Sequence, residues 1–541
     1  MSTISTSTTT NTGYVVTSDT TGTLVIQTGA TPTTALTLSS GQVMTLPNDA
    51  SISGLTVGKG GGALSRCTAV GASALSANTA SNYNTAIGAQ ALQYQTGALN
   101  TAVGDNAMVG VSGSSTGAWN TALGQSALYA NTTGNYNIAI GQASLANNTT
   151  ASNNTAVGYQ SAYTNSTNQN IVAVGYKALY ANVADNSVAV GANALTANTS
   201  GAANNAFGFN TLTANTTGGY NSAFGHAALY SNTTGANNVA VGYYSLLSNT
   251  TASYNTAVGY QASYTGTTGD KCVAVGYQSL YTNNAGGNTG VGYQTLYANT
   301  TGQYNVGVGT LEPNNAVGAL RFNTTGGNNT AIGAGALGFN TTASNNTGIG
   351  YQAGYSITTA SYNTSIGYQT GGVLTTGTGN TYVGYGINAS GTGVNFEIVI
   401  GSSITGKGSQ TGLVNAGGGG IYQGNNSSTW STTSDQRLKK NIVDNTEGLS
   451  IISQIRVRNF EYRTAEEVTE LPAHTVIEKT GVQLGVIAQE LQTVCSDCVK
   501  EESTGVLSVD ASNITWHMIN AIKDLKAELD TVKAELAALK G

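Results

Sequence analysis

Charge is the first thing this sequence lacks. Only 8% of its 541 residues are Asp, Glu, Lys or Arg, against about 25% in ordinary soluble domains. Proline and cysteine number four each, too few cysteines for a disulfide framework. No run of about 20 apolar residues is present, so a membrane-spanning helix is not expected. The net charge of −6 leaves no basic footprint for nucleic acid. Met1-Ser2-Thr3-Ile4-Ser5-Thr6 lacks the basic region and apolar core of a secretory signal; the expectation is synthesis in a cytoplasm and release by cell lysis. Disorder is a poor account of the low charge, because disordered chains are usually charged and poor in β-branched and aromatic residues. Here there are 29 tyrosines and 72 glycines among abundant Thr, Val and Asn, the composition of stacked β-structure.

What charge there is divides the chain. Residues 1–433 hold 6 Lys/Arg and 7 Asp/Glu, whereas the much shorter 434–541 holds 12 and 17. That step marks a domain boundary.

Before it lies a repeat of about 17 residues, N-T-A-[VI]-G followed by A-L-Y-x-N-T-T-G. Its glycine falls at Gly71, Gly88, Gly104, Gly124, Gly141, Gly158, Gly175, Gly191, Gly208, Gly225, Gly242, Gly259, Gly276, Gly292, Gly309, Gly333, Gly350, Gly367, Gly384 and Gly401. In Asn255-Thr256-Ala257-Val258-Gly259-Tyr260 an extended backbone puts Thr256, Val258 and Tyr260 on one face and the small Ala257 and Gly259 on the other. The small face admits close approach of another backbone. Asn-Thr-Thr-Gly supplies turns. Each unit reads as one or two short strands, unable to bury its apolar face without stacking on neighbours. One rung per unit at about 4.8 Å gives a shaft of roughly 95 Å. The motif N-[ST]-x-A-[VI]-G over 65–401 resembles the left-handed β-roll repeats in the heads of trimeric autotransporter adhesins, with a longer period.

Residues 1–64 differ, with strand-like runs Thr23–Thr28 and Ala35–Leu38. They resemble the opening segments of phage tail fibres, which implies attachment to other tail or baseplate proteins. The Gly/Ser/Asn-rich 402–433 reads as a distal tip or a connector.

From residue 434 the motifs are Ser434-Asp435-Gln436-Arg437-Leu438-Lys439-Lys440, Phe460-Glu461-Tyr462-Arg463, Gly485-Val486-Ile487-Ala488-Gln489-Glu490-Leu491 and Leu507-Ser508-Val509-Asp510, then the helical Trp516–Leu525. In this order they resemble the endosialidase-type intramolecular chaperone domain, a self-cleaving serine peptidase family. Ala511 departs from the Tyr often found there. The resemblance implies an α+β domain that trimerises, templates the fibre before it and cuts itself off, with Ser434 as nucleophile, Lys439 as base and the scissile bond at Ser434, expected as Ser434–Asp435. Sequence leaves open which side of Ser434 is cut. Ser–Lys pairs are a known variant of the usual triad. A lysine is a base only when neutral, which burial or neighbouring cations favour; Arg437 and Lys440 are candidates for the second. The alternative is a basic segment that merely docks.

Met518, Ile522, Leu525, Leu529, Val532, Leu536 and Leu539 alternate in steps of four and three, the seam of a coiled coil over 516–540. The family resemblance implies three strands rather than two. A helix docked on its own domain is the alternative.

Other constellations carry little. Cys495-Ser496-Asp497-Cys498 has metal or redox spacing, but a zinc site needs further ligands and only His474 and His517 are near, so two ordinary cysteines and no metal are expected. His226 replaces a repeat Tyr. Asn-Thr-Thr triplets read as turns rather than glycosylation sites. Calcium-binding repeats and recurring carboxylate pairs are missing.

The expectation is therefore a mainly β protein: a trimeric β-solenoid shaft of about twenty repeats, followed by a small α+β chaperone. It is a structural and receptor-binding fibre of a phage virion, its tyrosines suited to a host-cell glycan and a protein receptor left open, with no cofactor. A bacterial surface adhesin or matrix fibre, an ice-binding solenoid and a polysaccharide-degrading fibre are the rivals.

Overall fold

The computed structural model describes residues 57–61, 66–79, 81–310, 317–415, 420–424, 434–464, 466–471, 477, 479–502 and 505–541, together with the strand backbones between 15 and 56. Contacts divide the chain into Met1–Thr433 and Ser434–Gly541.

In the first unit Val15–Ser18, Leu24–Thr28, Thr33–Leu38 and Met44–Thr45 pair in that order as an antiparallel sheet. The runs expected as strands in 1–64 lie within it. From Thr68–Val70 to Gly412–Asn415 each strand then pairs in parallel with the next along the chain. This is a β-solenoid of about twenty turns, and it runs one strand past residue 401 into the segment read as tip or connector. His474 lies outside the described residues.

The turn at 221–237 shows why this sequence coils. Ser222–Phe224 is a three-residue strand whose central Ala223 is fully buried while its neighbours face outward. Gly225 follows with φ of +128°, a region open essentially to glycine alone. A Cβ there would sit 2.6 Å from the Gly242 carbonyl oxygen one turn on. All the repeat glycines except Gly309 share this positive φ. The chain then turns through Ala227 and Leu229, both in the left-handed region. That conformation costs an L-residue about 1–2 kcal/mol, and Leu229 is fully buried, which stabilises by about 1.5–3 kcal/mol. Burial of Leu229 offsets the strain at that residue.

Buried polar groups need partners, and two asparagine columns supply them. Asn221 Oδ1 accepts from the Asn238 backbone N–H at 3.0 Å, and Asn221 Nδ2 donates to the Gly235 carbonyl at 2.9 Å. In the second column Asn249 Nδ2 donates to Asn232 Oδ1 at 2.8 Å. Outside, aromatic rings stack along the solenoid, as in Tyr243, Tyr260, Tyr277 and Tyr293.

Two sequence expectations are refined. Each repeat makes one strand, not two; in most the glycine ends it after three residues, while Thr381–Tyr385 and Ile398–Ser402 run one residue past theirs. The small alanine face is the interior, so the β-branched residues of the strands look outward and leave a column that includes Ile332, Ile349 and Ile366 exposed.

Among its described residues the second unit carries three α-helices: α1 (Leu449–Ile452), α2 (Ala488–Val494) and α3 (Ala511–Lys540). It adds two small antiparallel sheets, Arg458–Phe460 with Gln483–Gly485 and Val499–Glu501 with Leu507–Val509. The core of Ile451, Leu491, Cys495, Cys498 and Val499 is small. Asp510 caps α3 by accepting from the Ser512 N–H at 3.1 Å. The segment before α1 straps onto α3: Leu449 N–H donates to Asp524 Oδ2 at 2.8 Å, and Asn520 Nδ2 to the Asn445 carbonyl at 2.8 Å. Gly448 is required there, since a Cβ would meet the Ala521 nitrogen at 2.5 Å.

Candidate self-cleavage site

Ser434 opens the second unit and is followed by one short turn, Gln436–Leu438. Asp435 caps that turn, its carboxylate accepting from the Arg437 N–H at 2.8 Å. The turn is the local cause of the site's geometry. It folds the chain back so that Lys439, five residues on, places Nζ 2.7 Å from Ser434 Oγ. An ammonium donates across that distance; a neutral amine would accept the hydroxyl proton. Both residues are exposed.

Of the two neighbouring cations, one is engaged elsewhere. The Arg437 guanidinium pairs with Asp435 at 2.6 Å, which holds the Asp435 carboxyl below its usual range and neutralises the Arg437 charge locally. Lys440 is exposed. Burial is thus missing around Lys439 in the single chain.

The seam of α3 is free as well. All seven of its apolar residues are at least 48% exposed, while His517 and Ala521 on the other side are buried.

A second cluster was weighed in the sequence and set aside, because His517 lies about twenty residues beyond Cys495-Ser496-Asp497-Cys498. Cys495 and Cys498 form a disulfide, not two ordinary thiols. His517 is buried beside them, with Nε2 3.2 Å from Asp497 Oδ2 and Nδ1 2.9 Å from the Glu447 carbonyl. The ligand atoms of Cys495, Asp497, Cys498 and His517 all lie within 4.8 Å of one another. The signal available was the Asp510 cap: a helix starting there brings residue 517 round after two turns.

Ion pairs concentrate in this unit. Arg458 grips Glu490 through two bonds, at 2.7 and 3.0 Å, and Lys500 reaches Asp510 at 2.7 Å. Arg463 contacts Glu470 and helps bring its carboxyl down to about 2. The bonds from Arg458 and Lys500 lower Glu490 and Asp510 in turn. A depressed folded pKa contributes stability that is present above the unfolded value and lost as pH falls through the folded one. His517 acts in the opposite sense: the Glu447 carbonyl raises its pKa, so its contribution is complete in acid and fades as pH rises. Acidification from about pH 4.5 toward 2 should therefore lower the melting temperature of residues 434–541, read by the helical circular dichroism of α3. The nearly uncharged solenoid should melt unchanged. The pairs are exposed, so the shift should be modest and should shrink in salt.

No curated protein matches this chain, and no solved structure does. Residues 434–500 match the family model described as Chaperone of endosialidase. The match begins on Ser434 and implies a self-cleaving chaperone peptidase in this segment. The chain thus joins a β-solenoid to a segment similar to the intramolecular chaperones, the organisation of a phage tail fibre-like protein.

Proposed function

We propose that the protein is a homotrimeric tail fibre of a phage virion, attached through its N-terminal region and binding a host-cell surface glycan or protein receptor. Residues 434–541 align and trimerise the chains, then cut themselves off at Ser434 with Lys439 as base. The observation that carries this reading is the conjunction of the chaperone match with a 2.7 Å Lys439–Ser434 contact at its first residue.

Two exposed surfaces support the trimer. One is the apolar seam of α3; the other is the outward β-branched column of the solenoid. Apolar surface of this continuity marks an interaction site in soluble proteins. Register explains why a separate segment is needed. A repeat that looks alike every 17 residues offers many nearly equivalent alignments of three chains, and non-local strand pairing is slow. A trimeric coiled coil fixes one alignment. A further column of exposed rings, including Tyr220, Tyr254, Tyr304 and Tyr362, suits contact with sugars, whose apolar faces stack on aromatic rings while the hydroxyl hydrogen-bonds.

Sedimentation tests the assembly. Full-length chains, cut or uncut, should run as trimers that resist detergent. Chains ending at Thr433, made without the rest, should give monomers and aggregates. Trimers from the truncated chain, or a monomeric full-length protein, would refute the proposal.

A further inference from the structure

We propose that Cys495, Cys498, His517 and Asp497, with the two cysteines as thiols, form a structural zinc site in the C-terminal segment. The disulfide is the oxidised form of the same site.

The donor set is the first argument. Two thiolates, an imidazole and a carboxylate are a zinc-type combination, and four protein ligands leave no open position, which marks a structural rather than a catalytic ion. Geometry is the second. Tetrahedral zinc with bonds of about 2.0–2.3 Å holds its ligand atoms roughly 3.3–3.8 Å apart. The four ligand atoms here already lie within 4.8 Å. Asp497 Oδ1 is 3.2 Å from Cys495 Sγ and 3.9 Å from Cys498 Sγ. The sulfurs must separate, which reduction allows, and the remaining pairs need close by no more than about 1 Å.

His517 supplies the third argument. Its Nδ1 lies 2.9 Å from the Glu447 carbonyl, which can only accept, so Nδ1 carries a proton and Nε2 is the atom turned toward the sulfurs. Metal-binding histidines are commonly oriented by such a bond from the other ring nitrogen. The ring is 3% exposed, so this orientation is fixed by packing. The core beside it has few buried residues, and small domains commonly depend on a metal or a disulfide.

The chemistry balances. Cysteine enters a chain as the thiol. Zinc binding forms two Zn–S bonds, one Zn–N bond and one Zn–O bond, and the two thiol protons pass to solvent with any proton on Nε2. Where the disulfide has formed, a dithiol reductant restores the thiols with two electrons and two protons and becomes the cyclic disulfide; a phosphine gives two electrons, while water supplies the two protons and the oxygen of the phosphine oxide.

The test uses the full chain, purified under reducing, oxygen-free conditions, and zinc is counted by elemental analysis per copy of residues 434–541, attached or released. About one zinc per copy should survive dialysis, and cobalt in its place should show a sulfur-to-cobalt charge-transfer band. The same protein oxidised to the disulfide should lose both signals, a comparison that needs no mutation. Cys495→Ser with Cys498→Ser should abolish the band. His517→Gln should weaken retention more than about tenfold, with the circular dichroism of α3 reporting whether the segment still folds. Equal zinc in the reduced and oxidised forms, or no sulfur–cobalt band in the reduced wild type, would overturn the assignment.

Discussion

Ser434→Ala should leave the chain uncut, and Lys439→Ala should do the same, while the wild type separates into pieces of about four-fifths and one-fifth of its length at the boundary between its two units. The readout is a denaturing gel with the intact mass of each piece. The effect is large because both roles fall on this one pair. Ser434 supplies the nucleophilic oxygen, and Lys439 Nζ at 2.7 Å is the group placed to take its proton. Lys439→Arg keeps the charge but cannot readily give up a proton, so it should slow cleavage at least about 100-fold. The exposure of both residues adds a condition. A lysine becomes a base more readily where water is excluded, and the single chain does not exclude it. Packing of neighbouring copies would, so Leu525→Glu with Leu529→Glu in the α3 seam should block cleavage while leaving Ser434 and Lys439 in place. The N-terminus of the small piece reports the route. Attack by Ser434 Oγ on the carbonyl before it closes a five-membered ring, whose collapse breaks the C–N bond and leaves an ester on Oγ; water then hydrolyses that ester and releases a piece beginning at Ser434. Attack on its own carbonyl would close a four-membered ring, so a piece beginning at Asp435 requires the hydroxyl of another copy.

Gly225→Ala should break the solenoid locally. The residue sits at φ of +128°, where a Cβ costs about 1–3 kcal/mol in backbone strain. It also faces a fixed obstacle, the Gly242 carbonyl oxygen at 2.6 Å, which is backbone and cannot rotate away. Gly113→Ala separates the two terms, because Gly113 also has a positive φ but a Cβ there meets nothing within 4 Å. The Gly113 variant should lose about 1 kcal/mol, and the Gly225 variant several times as much. Each turn of a solenoid is supported by its neighbours, so hydrogen exchange should accelerate in the turns flanking residue 225 and recover with distance. Equal losses at the two positions would mean that close approach between turns contributes nothing.

The repeat was legible because glycine and asparagine recur where the backbone needs them. The glycine marks the end of most strands, and the asparagine before most strands marks a buried polar column. Both are chemical necessities that leave a trace in sequence. The left-handed turns through residues such as Leu229 leave none, because leucine is an ordinary core residue whose conformation here is set by stacking. The outward direction of the β-branched positions was hidden for a related reason. Alternation says that two faces differ without saying which is interior, and here the inward strand position is mostly the small residue, as at Ala223. In the C-terminal segment Ser434 and Lys439 came from the resemblance of the motifs after residue 434, and the single turn between them brings their ends together. His517 was named as a nearby histidine but set aside, since its place beside Cys495 and Cys498 depends on how α3 packs.

The ladder of parallel strands is closed at both ends by a strand running the other way. Leu55–Gly58 pairs antiparallel with the first rung, and Gly420–Gln423 with the last. A stack of identical coils would otherwise present, at top and bottom, a template onto which another molecule could continue the same winding. Reversing the chain direction at each end breaks that continuation. The rod therefore has a length written into its gene, and concentrated solutions of it need not grow into filaments.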